Sequence, residues 1–247
     1  MDLNRMGRIE EAAFNAWPAP RQMIYDGWLL RFTGGPSKRV NSVNVRYPSY
    51  FPLAEKIAFC ESVYEAVGQP AIFRLPAPFH GNELVSALEQ SGYAAYDETH
   101  VLTRPLMHKP ACPEGMAVRS FHIPDWLPYK AAISGTPADE LALHEQILNV
   151  TVLRKTLRVL FVGEVPVACG MGVVEGDLLG YFSIYTHHDA RRKGYAGLMM
   201  DALTDWGLEQ GALLGYLQVE SHNAPALALY AKLGFALCYS YEYYRRG

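Results

Sequence analysis

The chain has 247 residues, half of them hydrophobic, and a formal net charge of −3 at pH 7. That is enough apolar content for one large packed domain or two small ones, and too little positive charge for a general binder of nucleic acid or anionic membrane. Cys60, Cys112, Cys169 and Cys238 show neither CxxC nor Cys/His spacing, which argues against a disulfide framework and a zinc motif. The opening MDLNRMGRIEEAAFNAW lacks a signal-peptide core, and no run approaches the ~18 apolar residues of a spanning helix. The expectation is a cytoplasmic protein with no membrane and no nucleic-acid partner.

In chain order, the pattern predicts a helix around Met6–Ala16, then strands IYDGWLLRF and SVNVRY on either side of the turn-rich GGPSKR, together a hairpin. LAEKIAFCESVYEAVG reads as a helix ended by Gly68, and AIFRL as a short buried strand. NELVSALEQSG reads as a helix capped by Asn82 and ended by Gly92, and YDETHVLTR as an alternating strand. MHKPACPEG, residues 107–115, joins prolines, a glycine and charges in the manner of an exposed linker, so domains are expected at 1–112 and 113–247.

Downstream, MAVRSF reads as a strand, IPDWLPYKAAI as a helix, and PADELALHEQILNV as a second helix with acidic residues in its first turn. RVLFVG, PVACGMGVVE and LLGYFSIYTH form an antiparallel meander around Gly163-Glu164 and Gly176-Asp177. After the stretch from residue 190, LLGYLQVE is a strand, APALALYAKLG a helix and FALCYSYEYYRR a final strand. The order βααβββαβαβ makes the fold class α+β, a mixed α/β sandwich.

The stretch ARRKGYAGLMM, from residue 190, sets Arg191, Arg192 and Lys193 against a flexible GYAG that opens an apolar, helix-forming run. Cations avoid a helix N-terminus, where the dipole is already positive, so an anion is expected there. The small Gly194, Ala196 and Gly197 would let a phosphate approach unpaired backbone amides, with the cations adding charge-assisted contacts. A plain turn with solvated cations is the alternative for this motif taken alone.

A second motif follows at residues 223–235, NAPALALYAKLGF. In this order and spacing, after a strand meander, the pair resembles the Gcn5-related N-acetyltransferase (GNAT) superfamily. Arg191, Gly194 and Ala196 match its Arg-x-x-Gly-x-Ala signature. Asn223, Ala226, Leu229, Tyr230, Lys232, Gly234 and Phe235 match its downstream motif. The resemblance covers the chain from about residue 115 onward and implies the GNAT acyl-CoA N-acyltransferase fold for that half.

It also implies acetyl-CoA as cosubstrate, with no metal. Behind the signature Arg191, the amides of Arg192, Lys193, Gly194, Tyr195, Ala196 and Gly197 would hold the coenzyme pyrophosphate. The backbone of Ile184, Tyr185 and Thr186, at a bulge in the preceding strand, would bind the pantetheine arm and the thioester carbonyl. Asn223 would contact the coenzyme, and Tyr230 would protonate the departing thiolate. Acyl transfer by direct attack needs a neutral amine, a donor for the developing oxyanion and a proton source for sulfur.

One position departs from the family. Where the ribosomal-protein branch carries a glutamate base, five residues before the motif asparagine, this chain has Gln218, which cannot accept a proton in that role. Glu220, two along the same strand and on the same side, is the candidate base, with a water chain as the alternative. His187 and His188 read as solvated loop residues.

The first half looks like a worn copy. SALEQSGYAAYDETHVLTR aligns with LALYAKLGFALCYSYEYYRR, placing Gly92 opposite Gly234, Tyr93 opposite Phe235 and Leu88 opposite Tyr230. The equivalent of the phosphate loop, RYPSYFPLAEKI, has prolines and no glycine. The reading is a degenerate GNAT-like half that does not bind coenzyme, against convergence of helices that end in glycine. WLLRFTGGPSKRVNSVN gathers Arg31, Lys38, Arg39 and Asn41 around a glycine hairpin, either as a solvated turn or as part of an acceptor pocket. Tyr239, Tyr241 and Tyr243 alternate, as an acceptor lining or as one face of a packed strand.

The expected activity is transfer of an acetyl group from acetyl-CoA to a primary amine of a small molecule. The alternatives are a protein or peptide acetyltransferase acting on N-termini or lysines, and a non-catalytic acyl-CoA-binding regulator. A homodimer is left open.

Overall fold

A computed structural model describes residues 2–47, 49–108 and 112–247, so residues 109–111 of the predicted linker lie outside the described residues. The first elements are α1 (Leu3–Ala16), β1 (Arg21–Tyr25), β2 (Trp28–Phe32), β3 (Val43–Val45), α2 (Leu53–Ala66), β4 (Ile72–Pro76), α3 (Asn82–Gln90) and β5 (Tyr93–Pro105). Then come β6 (Met116–Phe121), α4 (Ile123–Ser134), α5 (Ala138–Val150), β7 (Arg154–Val162), β8 (Val165–Glu175) and β9 (Leu178–Thr186). The last are α6 (Tyr195–Glu209), β10 (Leu214–Glu220), α7 (Ala224–Lys232) and β11 (Ala236–Arg246). From β6 onward this is the order the sequence predicts. None of the described helices is long and apolar enough to cross a membrane.

The chain folds into two compact units. The first comprises Met1–Pro18, Leu102–Leu217 and Pro225–Ala236, and the second Ala19–Val101, Gln218–Ala224 and Leu237–Gly247.

In the first unit, β6 to β9 form an antiparallel meander and β10 joins β9 in parallel. The hairpins turn at Gly163 and Gly176, both at φ 58, a left-handed backbone that glycine adopts without Cβ strain. One face of this sheet is closed by α6 at van der Waals distance. A Cβ on Gly170 would stand 2.8 Å from Ile184 Cδ1 and 2.9 Å from Met199 Cγ, so this strand position must be bare. The other face is covered by α4 and α5 through buried Trp126, Ile133, Ile147 and Leu148. Helix α1 joins this unit too. Arg5 pairs with Asp177 at 2.7 Å, Arg8 with Glu175 at 3.2 Å, and Trp17 stacks on Phe182 with ring centroids 6.0 Å apart.

In the second unit the strand order is β1-β2-β3-β4-β11-β5. The stretch IYDGWLLRF, expected as one strand, is two. Asp26 (φ 40) and Gly27 (φ 81) form a two-residue turn with Tyr25 paired to Trp28, because both central positions take the left-handed backbone that a type I′ hairpin requires. A second correction concerns α3, whose N-cap is Gly81 with no side-chain bond; Asn82 is the first helical residue, not the cap. The core joins Trp28, Leu30, Val43 and Phe73 of the sheet to Ile57, Tyr64, Leu84 and Leu88 of α2 and α3. Each such side chain contributes ~1.5–3 kcal/mol of hydrophobic stabilisation.

The entrance to α2 has its own anion. The Asp26 carboxylate accepts hydrogen bonds from the amides of Tyr50 and Phe51 at 3.0 Å and pairs with buried Lys56 at 3.0 Å. Burial pulls its pKa up, but the two amides and Lys56 outweigh it and hold the carboxyl below the usual carboxylate value. A depressed folded pKa contributes stability above the unfolded value, and this is lost as the pH falls through the folded one. Asp26→Asn is therefore expected to lower Tm at pH 7, with the deficit fading below about pH 4 as the native carboxyl becomes protonated. Thermal melts of both proteins across that range check this; a deficit constant with pH would show that the charge is not what matters.

Candidate active site

The site begins at an irregularity in β9. Tyr185 pairs with Cys169 and Phe182 with Met171, so three steps along β9 match two along β8, and the extra residue is accommodated where Ser183 adopts φ 51. Ile184 and Tyr185 follow directly. The parallel ladder with β10 runs from Leu178↔Leu214 to Gly180↔Tyr216, upstream of the bulge. The Ile184 side chain is directed to α6, against Gly170. The Tyr185 ring is directed to α4, with the Lys130 ammonium 5.3 Å from its centroid.

Beyond β9 the chain makes a 3-10 turn, His188–Ala190, and enters α6 through the predicted glycine loop. Arg192 (φ 64) and Gly194 (φ 84, the N-cap) are both left-handed, and Arg191 between the turn and them is extended. No side chain caps α6, its first turn carries no acid, and a Cβ on Gly194 would meet nothing within 4 Å. The outcome is an open, positively polarised helix end. Two of the three cations are directed back to the backbone: Arg191 Nε donates to the Thr186 carbonyl at 3.5 Å and Lys193 Nζ to that of Asp189 at 3.3 Å. His188 is exposed as expected. His187 is half-buried, and its amide donates to the Val167 carbonyl at 2.9 Å. With Asp189, the two histidines bring ligand-type atoms within 4.8 Å of one another.

Helix α7 carries Tyr230, which is 9% exposed and meets Phe235 edge-on at 5.8 Å. Burial, and then the neighbouring Tyr185, push its phenol up to about 12, so it holds its proton throughout the physiological range. The C-terminal end of this helix is fixed by Arg104 of β5. Its guanidinium donates to the Leu233 carbonyl at 2.8 Å and to Thr204 Oγ1 of α6 at 2.7 Å, and it lies 4.8 Å from the Phe235 ring. One buried arginine thus ties the helix that bears Tyr230 to the helix behind the glycine loop. Cys169, beneath Tyr185, is no nucleophile, because burial pushes its thiol up to about 12.

The first unit therefore brings together Ile184, Tyr185, Thr186, the loop from Arg191 to Gly197, and Tyr230. Gln218, Glu220 and Asn223 belong to the second unit. The Gln218 side-chain oxygen accepts the Tyr241 hydroxyl at 2.9 Å. Glu220, at the end of β10, is half-exposed with His222 Nε2 3.4 Å away, and its carbonyl accepts the Asn223 amide at 3.0 Å.

Two residues were missed in the sequence. Arg104 sits in a strand whose alternation gives no hint of its partners 100 and 129 residues away. Lys130 did leave a signal: with Trp126, Leu127 and Ile133 it falls on the buried stripe of α4. It is fully buried, donates to Thr136 Oγ1 at 2.9 Å, and is pushed down to about 8, chiefly by burial. Its charge in turn adds to the burial that pushes His144 down to about 4.

Residues 5–244 match the family described as "Probable histone acetyltransferase Rv0428c C-terminal". The chain is 27% identical over 241 residues to the "Uncharacterized N-acetyltransferase YobR" of Bacillus subtilis (strain 168), covering 96% of each. Among solved structures it resembles the GCN5-related N-acetyltransferase from Kribbella flavida, with a TM-score of 0.74 at 17% identity over 97% of this chain and 95% of that one. It also resembles a tandem GNAT protein from the clavulanic acid biosynthesis pathway, with a TM-score of 0.64 at 13% identity over 88% and 76% of the two chains.

The buried lysine has a measurable signature. Because the folded pKa of Lys130, about 8, lies below its unfolded value of 10.5, its charge costs stability at low and neutral pH, and the cost fades between those two values. Lys130→Met is expected to stabilise the fold at pH 7 by about 2 kcal/mol, and by much less at pH 10. Denaturant unfolding at the two pH values checks this, and equal effects at both would contradict it.

Proposed function

The chain belongs to the family described by the Rv0428c C-terminal region, within the GNAT superfamily of N-acetyltransferases, and from that premise we propose that it transfers an acetyl group from acetyl-CoA to a primary amine of a small molecule. One observation carries this reading: a buried, protonated Tyr230 neighbours Tyr185 of the bulged strand, in the unit that also presents the uncapped glycine loop.

The chemistry follows from the groups in place. The amides of Arg192 to Gly197 and the flanking cations receive the coenzyme pyrophosphate, with Asn223 as a further coenzyme contact. Backbone of Ile184, Tyr185 and Thr186 holds the pantetheine arm and polarises the thioester carbonyl. The neutral amine attacks that carbon directly, the C–S bond breaks, and Tyr230 gives its proton to the leaving sulfur. Glu220 takes the proton of the amine, directly or through water. Gln218 is excluded from that step by its chemistry, and its oxygen already serves Tyr241.

A protein lysine or N-terminus is the second reading, favoured by the words "histone acetyltransferase" in the family's description. The N-terminal half is read as a GNAT-like fold that takes no coenzyme. The two amides at the start of α2, where a phosphate would otherwise sit, already donate to Asp26.

Three measurements test these statements. Thiol release from acetyl-CoA across a panel of small amines, with a histone-tail peptide included, should show turnover with a small amine; release with the peptide alone would give the acceptor to the second reading, and no release with any would leave binding without catalysis. Tyr230→Phe should lower kcat by about 100-fold while acetyl-CoA Kd stays within about twofold. Titration calorimetry should give one coenzyme per chain, and a count of two would refute the reading of the N-terminal half.

A further inference from the structure

Lys130 stands where a hydrocarbon side chain would continue the pattern. It shares the buried stripe of α4 with Trp126, Leu127 and Ile133, and its own side chain is sealed from solvent. Thr136 Oγ1 accepts one of the three ammonium N–H donors at 2.9 Å, and Lys130 makes no ion pair among the described residues. An ammonium buried in this way carries a desolvation cost that a single hydroxyl offsets only in part.

Two structural roles do not account for it. The turn between α4 and α5 is closed by other groups: Gly135 takes the left-handed C-cap conformation with its amide on the Ala131 carbonyl at 2.9 Å, and Ser134 Oγ accepts the Thr136 amide at 3.2 Å. Packing would be served equally by methionine, which fills a similar volume and has no charge to desolvate.

What the ammonium faces is the Tyr185 ring, with its centroid 5.3 Å away. That is within reach of a cation–π contact, which is strongest where water is excluded from the cation. Tyr185 is a position where such an anchor counts. It follows the left-handed Ser183, is 40% exposed, and pairs with Cys169 of β8 beyond Gly180, the point where the ladder to β10 ends. It is also the neighbour whose charge, after burial, pushes the Tyr230 phenol up. Lys130, Tyr185 and Tyr230 thus link α4 through β9 to α7.

We propose that Lys130 is a positioning residue for acyl transfer, its buried ammonium holding the ring of Tyr185 and, through it, the strand position assigned to the thioester beside Tyr230. This rests on the acetyl-transfer reading above. The titratable groups that face Lys130 from the elements packed against it are Glu140 and His144 of α5, Cys169 of β8 and Tyr185 of β9. Burial pushes Cys169 up to about 12 and, with the charge of Lys130, pushes His144 down to about 4, so both stay neutral between about pH 7 and 9. Lys130, pushed down to about 8, loses its charge inside that window, and its hold on the ring weakens as the pH rises through it.

The test compares the full chain with Lys130→Met and Lys130→Arg, in two arms. In the first, NMR of protein labelled with ring-¹³C tyrosine follows the Tyr185 signal, assigned by its loss in Tyr185→Phe. That signal should shift with a midpoint near pH 8 in the parent chain and show no such step in either variant, because methionine has no charge and arginine keeps its own. In the second, Lys130→Met, although expected to fold more stably, should lower kcat about tenfold at pH 7 while acetyl-CoA Kd stays within about threefold. Lys130→Arg should restore most of the rate, and the ratio of parent to Lys130→Arg kcat, which cancels the acceptor's own ionisation, should fall severalfold between about pH 7 and 9. A Tyr185 signal without the step, the same step in Lys130→Met, or an unchanged kcat in Lys130→Met would each overturn the proposal. Absence of turnover in the parent chain with every amine would instead count against the acetyl-transfer reading, and the first arm would still decide whether Lys130 holds Tyr185.

Discussion

Ser183 takes a left-handed backbone in the middle of a strand, and the geometry of the first unit follows from that one residue. A non-glycine residue there costs about 1–3 kcal/mol and persists only when its surroundings over-determine it. Here they do so from both sides. Gly170, bare of a side chain, faces the bulge across the ladder and lets Ile184 settle against Met199 and Leu203. On the other face, Tyr185 is held against Lys130 of α4. The extra residue thus sends consecutive side chains to opposite helices.

Legibility in the sequence followed the range of the interaction. Every element from β6 onward was readable, because glycine turns, apolar runs and helix stops are local signals, and the two motifs carry their own spacing. The errors are also local in origin. Apolar residues flanking Asp26-Gly27 on both sides made one strand of two, although the dipeptide is itself a hairpin signal. What stayed hidden was charge placed by distant partners: Arg104 buried between α6 and α7, Lys130 buried under Tyr185, and Arg5 joined at the surface to Asp177 across 172 residues of sequence. Nothing within ten residues of these side chains distinguishes them from solvated ones, Lys130 on its apolar stripe excepted.

The two helix entrances show how a single backbone device can be left open or closed. At α6 no side chain caps the helix, space around Gly194 is open, and Arg191, Arg192 and Lys193 precede the cap. At α2, prolines replace the glycines and Asp26, turned inward by the hairpin it helps to form, accepts the amides. The same positive helix end is met in one place by the chain's own carboxylate and in the other by no side-chain cap and no acid in its first turn. A phosphate at α2 would have to displace a carboxylate already paired with Lys56.

Helix α1 packs with strands that come more than one hundred and fifty residues later, and β11, the last strand, lies between β4 and β5. Both units are therefore assembled from pieces that the ribosome delivers far apart in time. Helix α1 emerges long before Asp177 and Glu175 exist to receive it, and the second unit lacks an interior strand until the final eleven residues of β11 are made. Each unit therefore closes only through contacts between segments far apart in sequence, and folding is expected to include a slow, high-contact-order search. Loss of β11 would open a gap inside the sheet, between β4 and β5, where loss of a surface element would merely fray it.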